Sequence, residues 1–145
     1  MPHMQTLVFV YGTLKEGFAN FHINGGMRRQ GEYETVKRFP LYVIGDYYIP
    51  WLIDQEDEGS QVRGQLFEVD EAAMIRMDEL EMLGEPGWFT RRHIQVKPTE
   101  SSVGAVQTAF VYFGAKERLL TDTVHLGPIG HFTSAHDNEY RKRAA

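Results

Sequence analysis

The run of β-branched and aromatic residues at Thr6–Tyr11 is the sequence feature that most constrains the fold. The run is continuous and does not alternate between polar and apolar residues. It therefore predicts a strand that is buried on both faces. Gly12 follows directly and ends the strand.

Shorter stretches with strand character follow along the chain, separated by Gly, Pro and acidic turn residues. Strands are predicted at residues 31–36, 41–44, 51–53, 61–69, 89–96 and 106–113. The stretch at 61–69 alternates polar and apolar residues, which predicts a strand with one solvated face. The stretches at 89–96 and 106–113 are joined by a polar loop, and we expect them to pair antiparallel. Residues 18–31 are expected to form a loop with room for a short helix.

The clearest helix is predicted at Glu71–Met82, with Asp70 as its N-cap, because an Asp side chain at that position accepts hydrogen bonds from free backbone N–H groups. Gly84 and Pro86 end it. These elements predict a single α+β domain over residues 1–145, dominated by strands that can curl into a barrel. Residues after about 115 have few apolar side chains, so they are expected to form a loosely packed C-terminal extension.

Composition argues against several classes of partner. Fifteen Lys and Arg residues against twenty Asp and Glu give a net charge of -5, which offers no positive field for nucleic acid or an anionic membrane. No stretch approaches the ~20 apolar residues of a membrane helix. The sequence has no cysteine, which suits a reducing compartment, so a cytoplasmic location is expected. The six histidines show no metal-ligand spacing, and no metal site is predicted.

Glu81 is the one carboxylate of the predicted helix that needs an explanation. At about 100° per residue it falls on the apolar stripe, between Met74 and Met77, whereas Glu79 projects to the opposite side. A carboxylate in apolar surroundings has a raised pKa and can both accept and return a proton near neutral pH. The alternative is that the stripe ends at Leu80 and that Glu81 forms a salt bridge at its edge. Periodicity alone leaves both interpretations open.

The turn after the first strand, Tyr11–Leu14, is the second candidate site. A Gly at this position lets backbone N–H groups approach a ligand closely, as a bound carboxylate requires. The alternative is a simple tight turn in which Gly12 adopts a positive φ. The turn lacks the spacing and the Lys-Ser/Thr pair of a phosphate-binding loop, so nucleotide binding is not predicted.

Taken in order, several segments resemble the γ-glutamylcyclotransferase family, and most closely its γ-glutamylamine cyclotransferase branch. The resemblance covers roughly residues 6–113. It rests on Leu7–Lys15, Ile49–Leu52, Gly64–Asp70, Met77–Glu81 and Phe89–Arg92. It implies a small mixed β-barrel with flanking helices.

The family places its substrate loop at a Tyr-Gly-Ser/Thr-Leu motif and its essential glutamate at the end of a Leu/Met-Asp-x-Leu/Phe-Glu pattern. In this sequence these positions are Tyr11, Gly12, Thr13 and Leu14 for the loop and Glu81 for the glutamate. Ile49 and Trp51 are expected to wall the pocket. Phe89 stands where relatives often have a tyrosine, so Tyr11, Tyr47 or Tyr48 would have to supply any hydroxyl needed there.

The resemblance implies a reaction that needs no cofactor. The α-amino group of a γ-glutamyl amine would attack its own γ-carbonyl and release 5-oxoproline and a free amine, with Glu81 as general acid/base. The alternatives are a cyclotransferase for another γ-glutamyl compound and a non-catalytic binding or regulatory member of the same fold. We expect a monomer or weak dimer that binds a small-molecule substrate.

Overall fold

The computed structural model describes residues 6–100 and 105–144. Its elements in chain order are β1 (Thr6–Val10), α1 (Phe21–Asn24), β2 (Met27–Arg28), β3 (Tyr33–Thr35), β4 (Leu41–Ile44), β5 (Ile49–Leu52), β6 (Arg63–Val69), α2 (Glu71–Leu80), β7 (Phe89–Pro98), β8 (Gln107–Gly114), α3 (Arg118–Thr121), β9 (Val124–Ile129) and α4 (Ser134–Ala144). The predicted strands and the principal helix are present, and a short helix, α1, lies within residues 18–31. Part of the polar loop before β8 lies outside the described residues.

Five strands close into a barrel in the order β1-β8-β7-β3-β6, and β6 pairs back with β1. The β1–β8 pair is parallel and the other four pairs are antiparallel, so the barrel is mixed. The two-residue strand β2 pairs antiparallel with Phe67 and Glu68 of β6. This architecture confirms the expected α+β fold, a small mixed β-barrel with flanking helices.

A second sheet is formed by β4, with β5 on one side and β9 on the other, all antiparallel. β4 and β5 form a hairpin in which Ile44 pairs with Ile49 across the turn at residues 45–48. This hairpin brings Ile49 and Pro50 beside the end of β1, where both residues line a cavity together with Tyr11.

Both faces of β1 are buried, as predicted. Phe9 belongs to the cluster that fills the barrel, while Val8 and Val10 pack outward against α2, where they meet Ala73 and Met77.

Strand β6 is buried in the same way, so the predicted solvated face is wrong. Leu66 points into the barrel and Phe67 points outward, yet both are fully buried. The reason is tertiary, since α1 and α2 cover the outer surface of β6. The ring of Phe21 in α1 packs against the ring of Phe67 in a tilted arrangement, with ring centroids 5.7 Å apart.

Helix α2 begins as predicted, with the Asp70 side chain accepting a 2.8 Å hydrogen bond from the backbone N–H of Ala73. It ends at Leu80, two residues earlier than predicted. Met82 adopts a left-handed conformation with φ 52°, which turns the chain away from the helix axis. Glu81 therefore lies at the C-terminal end of α2.

The C-terminal segment differs from the loose extension that its composition predicts. Phe132 is fully buried, and its carbonyl accepts a 2.6 Å hydrogen bond from the buried Lys15 ammonium. Asp137 of α4 is also buried and accepts a hydrogen bond from the backbone N–H of Ala19. The C-terminal segment has no apolar stripe, and it is attached to the rest of the domain by the buried Phe132 ring and a few polar contacts. Within the described residues, none of the helices has the length and hydrophobicity needed to cross a membrane.

Candidate active site

The turn after β1 is held close to β5. The Lys15 N–H bonds the Gly12 carbonyl at 3.1 Å, which closes the turn, and residues 11–15 are buried. Gly12 is not one of the glycines with positive φ, so the alternative of a left-handed turn residue is wrong. A Cβ on Gly12 would instead lie 2.6 Å from Cγ of Pro50. Glycine is needed here because two chain segments approach closely, not because of backbone conformation.

A small cavity, open to solvent, lies at this contact. Seven of the eight site residues predicted from the sequence line it: Tyr11, Gly12, Thr13, Leu14, Ile49, Glu81 and Phe89. Phe9, Val10, Pro50 and Tyr112 complete the lining. The walls are therefore mostly apolar, with Glu81 as their one charged side chain within the described residues.

Glu81 is half-buried at the cavity wall, and its backbone N–H bonds the carbonyl of Met77 at 3.0 Å. Its carboxylate forms no salt bridge in residues 6–100 and 105–144, so the salt-bridge alternative is wrong for the described structure. Burial is the cause that raises the pKa of Glu81 to about 8. Glu79, two residues earlier, is exposed. The helical periodicity thus separated the two glutamates correctly.

Two tyrosines near Glu81 are fixed by hydrogen bonds. The Tyr11 hydroxyl donates to the backbone carbonyl of Tyr112 at 2.8 Å, and the Tyr112 hydroxyl donates to Oδ1 of Asp78 at 2.6 Å. Asp78 is also paired with Arg91 at 2.8 Å. Burial and, more weakly, the charge of Glu81 raise the pKa of the Tyr11 phenol, which therefore stays protonated.

Tyr112 and Asp78 were not predicted as site residues, although Asp78 is the Asp of the family's Leu/Met-Asp-x-Leu/Phe-Glu pattern. Asp78 lies one helical turn before Glu81, and this i, i+3 spacing could have flagged it. Tyr112 carries no local signal, since it lies on β8, far from Glu81 in the chain.

Phe89 begins β7 and is almost fully buried, with one face at the cavity. The structure does not bring Trp51 to the cavity surface. Trp51 is fully buried behind Phe89, with ring centroids 4.4 Å apart, and its indole N–H donates a 2.8 Å hydrogen bond to the carbonyl of Ala115.

A second, outer recess, also open to solvent, adjoins the cavity. Four residues line both spaces: Thr13, Ile49, Glu81 and Phe89. The remaining lining of the recess comes from the end of α2 and the residues after it, from residues 20 and 47, and from α4. These residues are Asn20, Tyr47, Leu80, Met82, Trp88, Tyr140 and Ala144. Glu81 therefore stands at the junction of an inner and an outer space.

Asn20 connects the turn after β1 to α4. Its side-chain N–H₂ donates to Oγ1 of Thr13 at 2.9 Å and to the hydroxyl of Tyr140 at 3.1 Å. Its backbone N–H bonds the Thr13 carbonyl at 2.8 Å. Thr13 is thus held on two sides by one residue. Within the described parts of the chain, no group of three or more His, Asp or Glu side chains is placed to hold a metal ion.

Comparison with known proteins gives a consistent result. The model of the family described as "Gamma-glutamyl cyclotransferase, AIG2-like" matches residues 8–130. The gamma-glutamylaminecyclotransferase of Rattus norvegicus is 37% identical over 98 residues, which are 64% of this chain and 64% of that protein. The Homo sapiens gamma-glutamylaminecyclotransferase is 32% identical over 99 residues, or 65% of this chain and 63% of that protein. This chain thus spans less than two thirds of the length of either curated relative.

Among solved structures, the crystal structure of an AIG2-like protein from Mus musculus superimposes with a TM-score of 0.71. It is 34% identical in sequence, and the match covers 85% of this chain and 87% of the mouse chain.

Proposed function

Because this chain belongs to the AIG2-like gamma-glutamyl cyclotransferase family, we propose that it converts a γ-glutamyl amine into 5-oxoproline and a free amine, with Glu81 as general acid/base. The single observation that carries the proposal is the Glu81 carboxyl itself. It lies in a largely apolar cavity, has a pKa raised by burial to about 8, and faces the turn at residues 12–14. The names of the rat and human relatives favour an amine as the leaving group.

The substrate loop is suited to the α-carboxylate of the glutamyl group. The backbone N–H groups of Thr13 and Leu14 donate no hydrogen bond within the described residues, and both residues line the cavity. Asn20 already donates to Oγ1 of Thr13, so the Thr13 hydroxyl can donate its own proton to a bound carboxylate. Three donors can thus converge on one anionic group without a cationic side chain.

In the first step Glu81 accepts one proton from the α-ammonium, which frees the lone pair of the nitrogen. That nitrogen attacks the γ-carbonyl carbon and forms the C–N bond of a five-membered ring. Because nucleophile and electrophile belong to one molecule, holding the glutamyl chain folded can supply ~7–11 kcal/mol of the catalysis. Tyr11, Ile49 and Phe89 would provide the walls that hold it.

In the second step Glu81 gives its proton to the departing nitrogen, and the bond between that nitrogen and the γ-carbon breaks. The ring nitrogen loses its second proton to solvent, and the released amine takes a proton from solvent. One carboxyl group therefore serves both as base and as acid, and a pKa near neutrality suits both roles.

The test is release of 5-oxoproline, measured by mass spectrometry from γ-glutamyl-ε-lysine, γ-glutamyl-alanine and glutathione. Wild type is expected to turn over at least one of them, and Glu81→Gln is expected to lose about 10²–10⁴-fold in kcat. Glu79→Gln is the matched control, because Glu79 is exposed two residues earlier on the same helix. Equal turnover by wild type and Glu81→Gln would refute the role of Glu81. No release by wild type from any substrate would favour a non-catalytic binding protein.

A further inference from the structure

The outer recess continues the catalytic cavity on the far side of Glu81. Since the two spaces share Thr13, Ile49, Glu81 and Phe89, a substrate held in the inner cavity can extend directly into the recess. The inner cavity accommodates the glutamyl group in the proposed reaction. The recess is then the space left for the group on the other side of the scissile bond.

The lining of the recess is aromatic and apolar. Seven residues line the recess but not the inner cavity, and most of them have apolar or aromatic side chains: Leu80, Met82, Trp88 and Tyr140. Among residues 6–100 and 105–144, Glu81 is the only charged side chain in this lining, and the proposed function already uses it. The recess is open to solvent, and a charged group placed against these side chains would lose part of its hydration without gaining a partner of opposite charge, which is unfavourable.

Tyr140 is held in place because α4 is anchored at both rims of the site. On the substrate-loop side, Asp137 accepts from the N–H of Ala19 at 3.1 Å, and the Arg141 guanidinium donates to the carbonyl of Gly17 at 3.3 Å. On the hairpin side, the Arg143 guanidinium lies over the ring of Tyr48, 4.6 Å from its centroid. Helix α4 therefore bridges the substrate loop and the turn between β4 and β5.

This wall lies beyond the part of the chain that the family comparison covers. The family match ends at residue 130, and α4 spans Ser134–Ala144. The identity of the residue at position 140 is thus a property of this chain that the family match does not supply.

We propose that the outer recess receives the leaving amine, that it selects an amine with an uncharged apolar or aromatic substituent, and that Tyr140 determines this specificity. The inference rests on the proposed function, because it assigns the second half of the same substrate. An aromatic substituent would contact Trp88 and Tyr140. In the ε-lysine compound, the free α-amino and α-carboxylate groups of the leaving lysine would instead lose part of their hydration there.

The experiment compares kcat/KM for γ-glutamyl phenethylamide, γ-glutamyl butylamide and γ-glutamyl-ε-lysine. Wild type is expected to prefer the phenethylamide over the ε-lysine compound by at least about tenfold, since burial of an unpaired charge is costly. Tyr140→Ala is expected to reduce that preference by about three- to tenfold, mainly through KM, as loss of one aromatic contact implies. Tyr140→Phe keeps the ring and should keep the preference. Asn138→Ala, at an exposed position of the same helix, is the control.

A binding measurement separates this inference from the proposed function. Calorimetric titration of the Glu81→Gln protein with the same three compounds needs no turnover and should show the same order of affinity. If no compound is turned over but the preference and its dependence on Tyr140 persist in binding, the reaction is refuted and the specificity stands. Equal kcat/KM for the phenethylamide and the ε-lysine compound, or a preference that Tyr140→Ala leaves unchanged, would overturn the inference.

Discussion

Gly12 and Pro50 approach each other so closely that a Cβ on Gly12 would lie 2.6 Å from Cγ of Pro50. The two residues belong to the turn after β1 and to β5, which are in different sheets, and both line the inner cavity of the candidate site. The distance between these segments is therefore set by the absence of a side chain at position 12.

We expect Gly12→Ala to reduce kcat/KM by about 100-fold, because displacement of the loop or of β5 by ~1 Å misplaces groups that bind the substrate. The added methyl group should also lower the free energy of unfolding by about 1–3 kcal/mol, as overpacking does. The 5-oxoproline assay and urea denaturation measure the two effects. Gly130→Ala is the control, since its Cβ would also make a tight contact, 3.3 Å from the carbonyl oxygen of Gln61, but outside both cavities. Unchanged kcat/KM in Gly12→Ala would show that the contact with Pro50 does not set the site.

We expect Glu81→Gln to change the pH dependence of stability. Burial raises the folded-state pKa of Glu81 from 4.5 to about 8, so the folded protein binds this proton more tightly than the unfolded chain. The resulting stabilisation is full below about pH 4.5 and is lost as pH rises to about 8. Glutamine cannot titrate, so the free energy of unfolding of the variant should rise relative to that of wild type between pH 4.5 and 8. The expected change is on the order of 2 kcal/mol, which is less than the full pKa shift implies because solvent reaches the cavity. Urea denaturation at pH 5 and pH 8.5 measures the difference. A constant difference at both values would contradict the raised pKa.

The pH dependence of turnover follows from the same pKa. Glu81 must be ionised to accept the proton of the α-ammonium, so kcat/KM should fall as pH is lowered below about 8. On the alkaline side, kcat/KM should fall once the α-ammonium of the substrate itself loses its proton. A pH profile of kcat/KM between pH 5.5 and 10 tests this. A flat profile between pH 6 and 8 would contradict Glu81 as the base.

We expect Tyr112→Phe to lower the free energy of unfolding by about 1.5–3 kcal/mol, because it removes a 2.6 Å hydrogen bond to the Asp78 carboxylate. Tyr112 lines the cavity, so a drop in kcat should accompany the loss of stability. Urea denaturation and steady-state kinetics measure both. Tyr42→Phe removes a hydroxyl from a half-buried tyrosine of β4 outside this network and serves as the control. Equal effects of the two substitutions would argue that the bond to Asp78 has no special role.

Local signals in the sequence were sufficient to predict the two elements that position the candidate site, β1 and α2. The run at Thr6–Tyr11 predicted β1 and its two buried faces, and Asp70 predicted the start of α2. Helical periodicity distinguished Glu81 from Glu79, since it depends only on spacing along one helix. Resemblance to the family then indicated the substrate loop.

Other features were decided by contacts between segments that are distant in the chain. The alternation in β6 predicted a solvated face, but α1 and α2 cover it. Trp51 lies behind Phe89 rather than at the cavity because its indole N–H bonds the carbonyl of Ala115, 64 residues away.

The sequence by itself thus determined strand β1, helix α2 and the position of Glu81 on the apolar side of that helix, because periodicity and capping act between near neighbours. Only the tertiary structure decided what surrounds that glutamate. Tyr112 and Tyr140 reach the site from β8 and α4. Their positions depend on barrel closure and on the docking of the C-terminal segment through Phe132, Asp137 and Asn20, and no local pattern encodes contacts of that range.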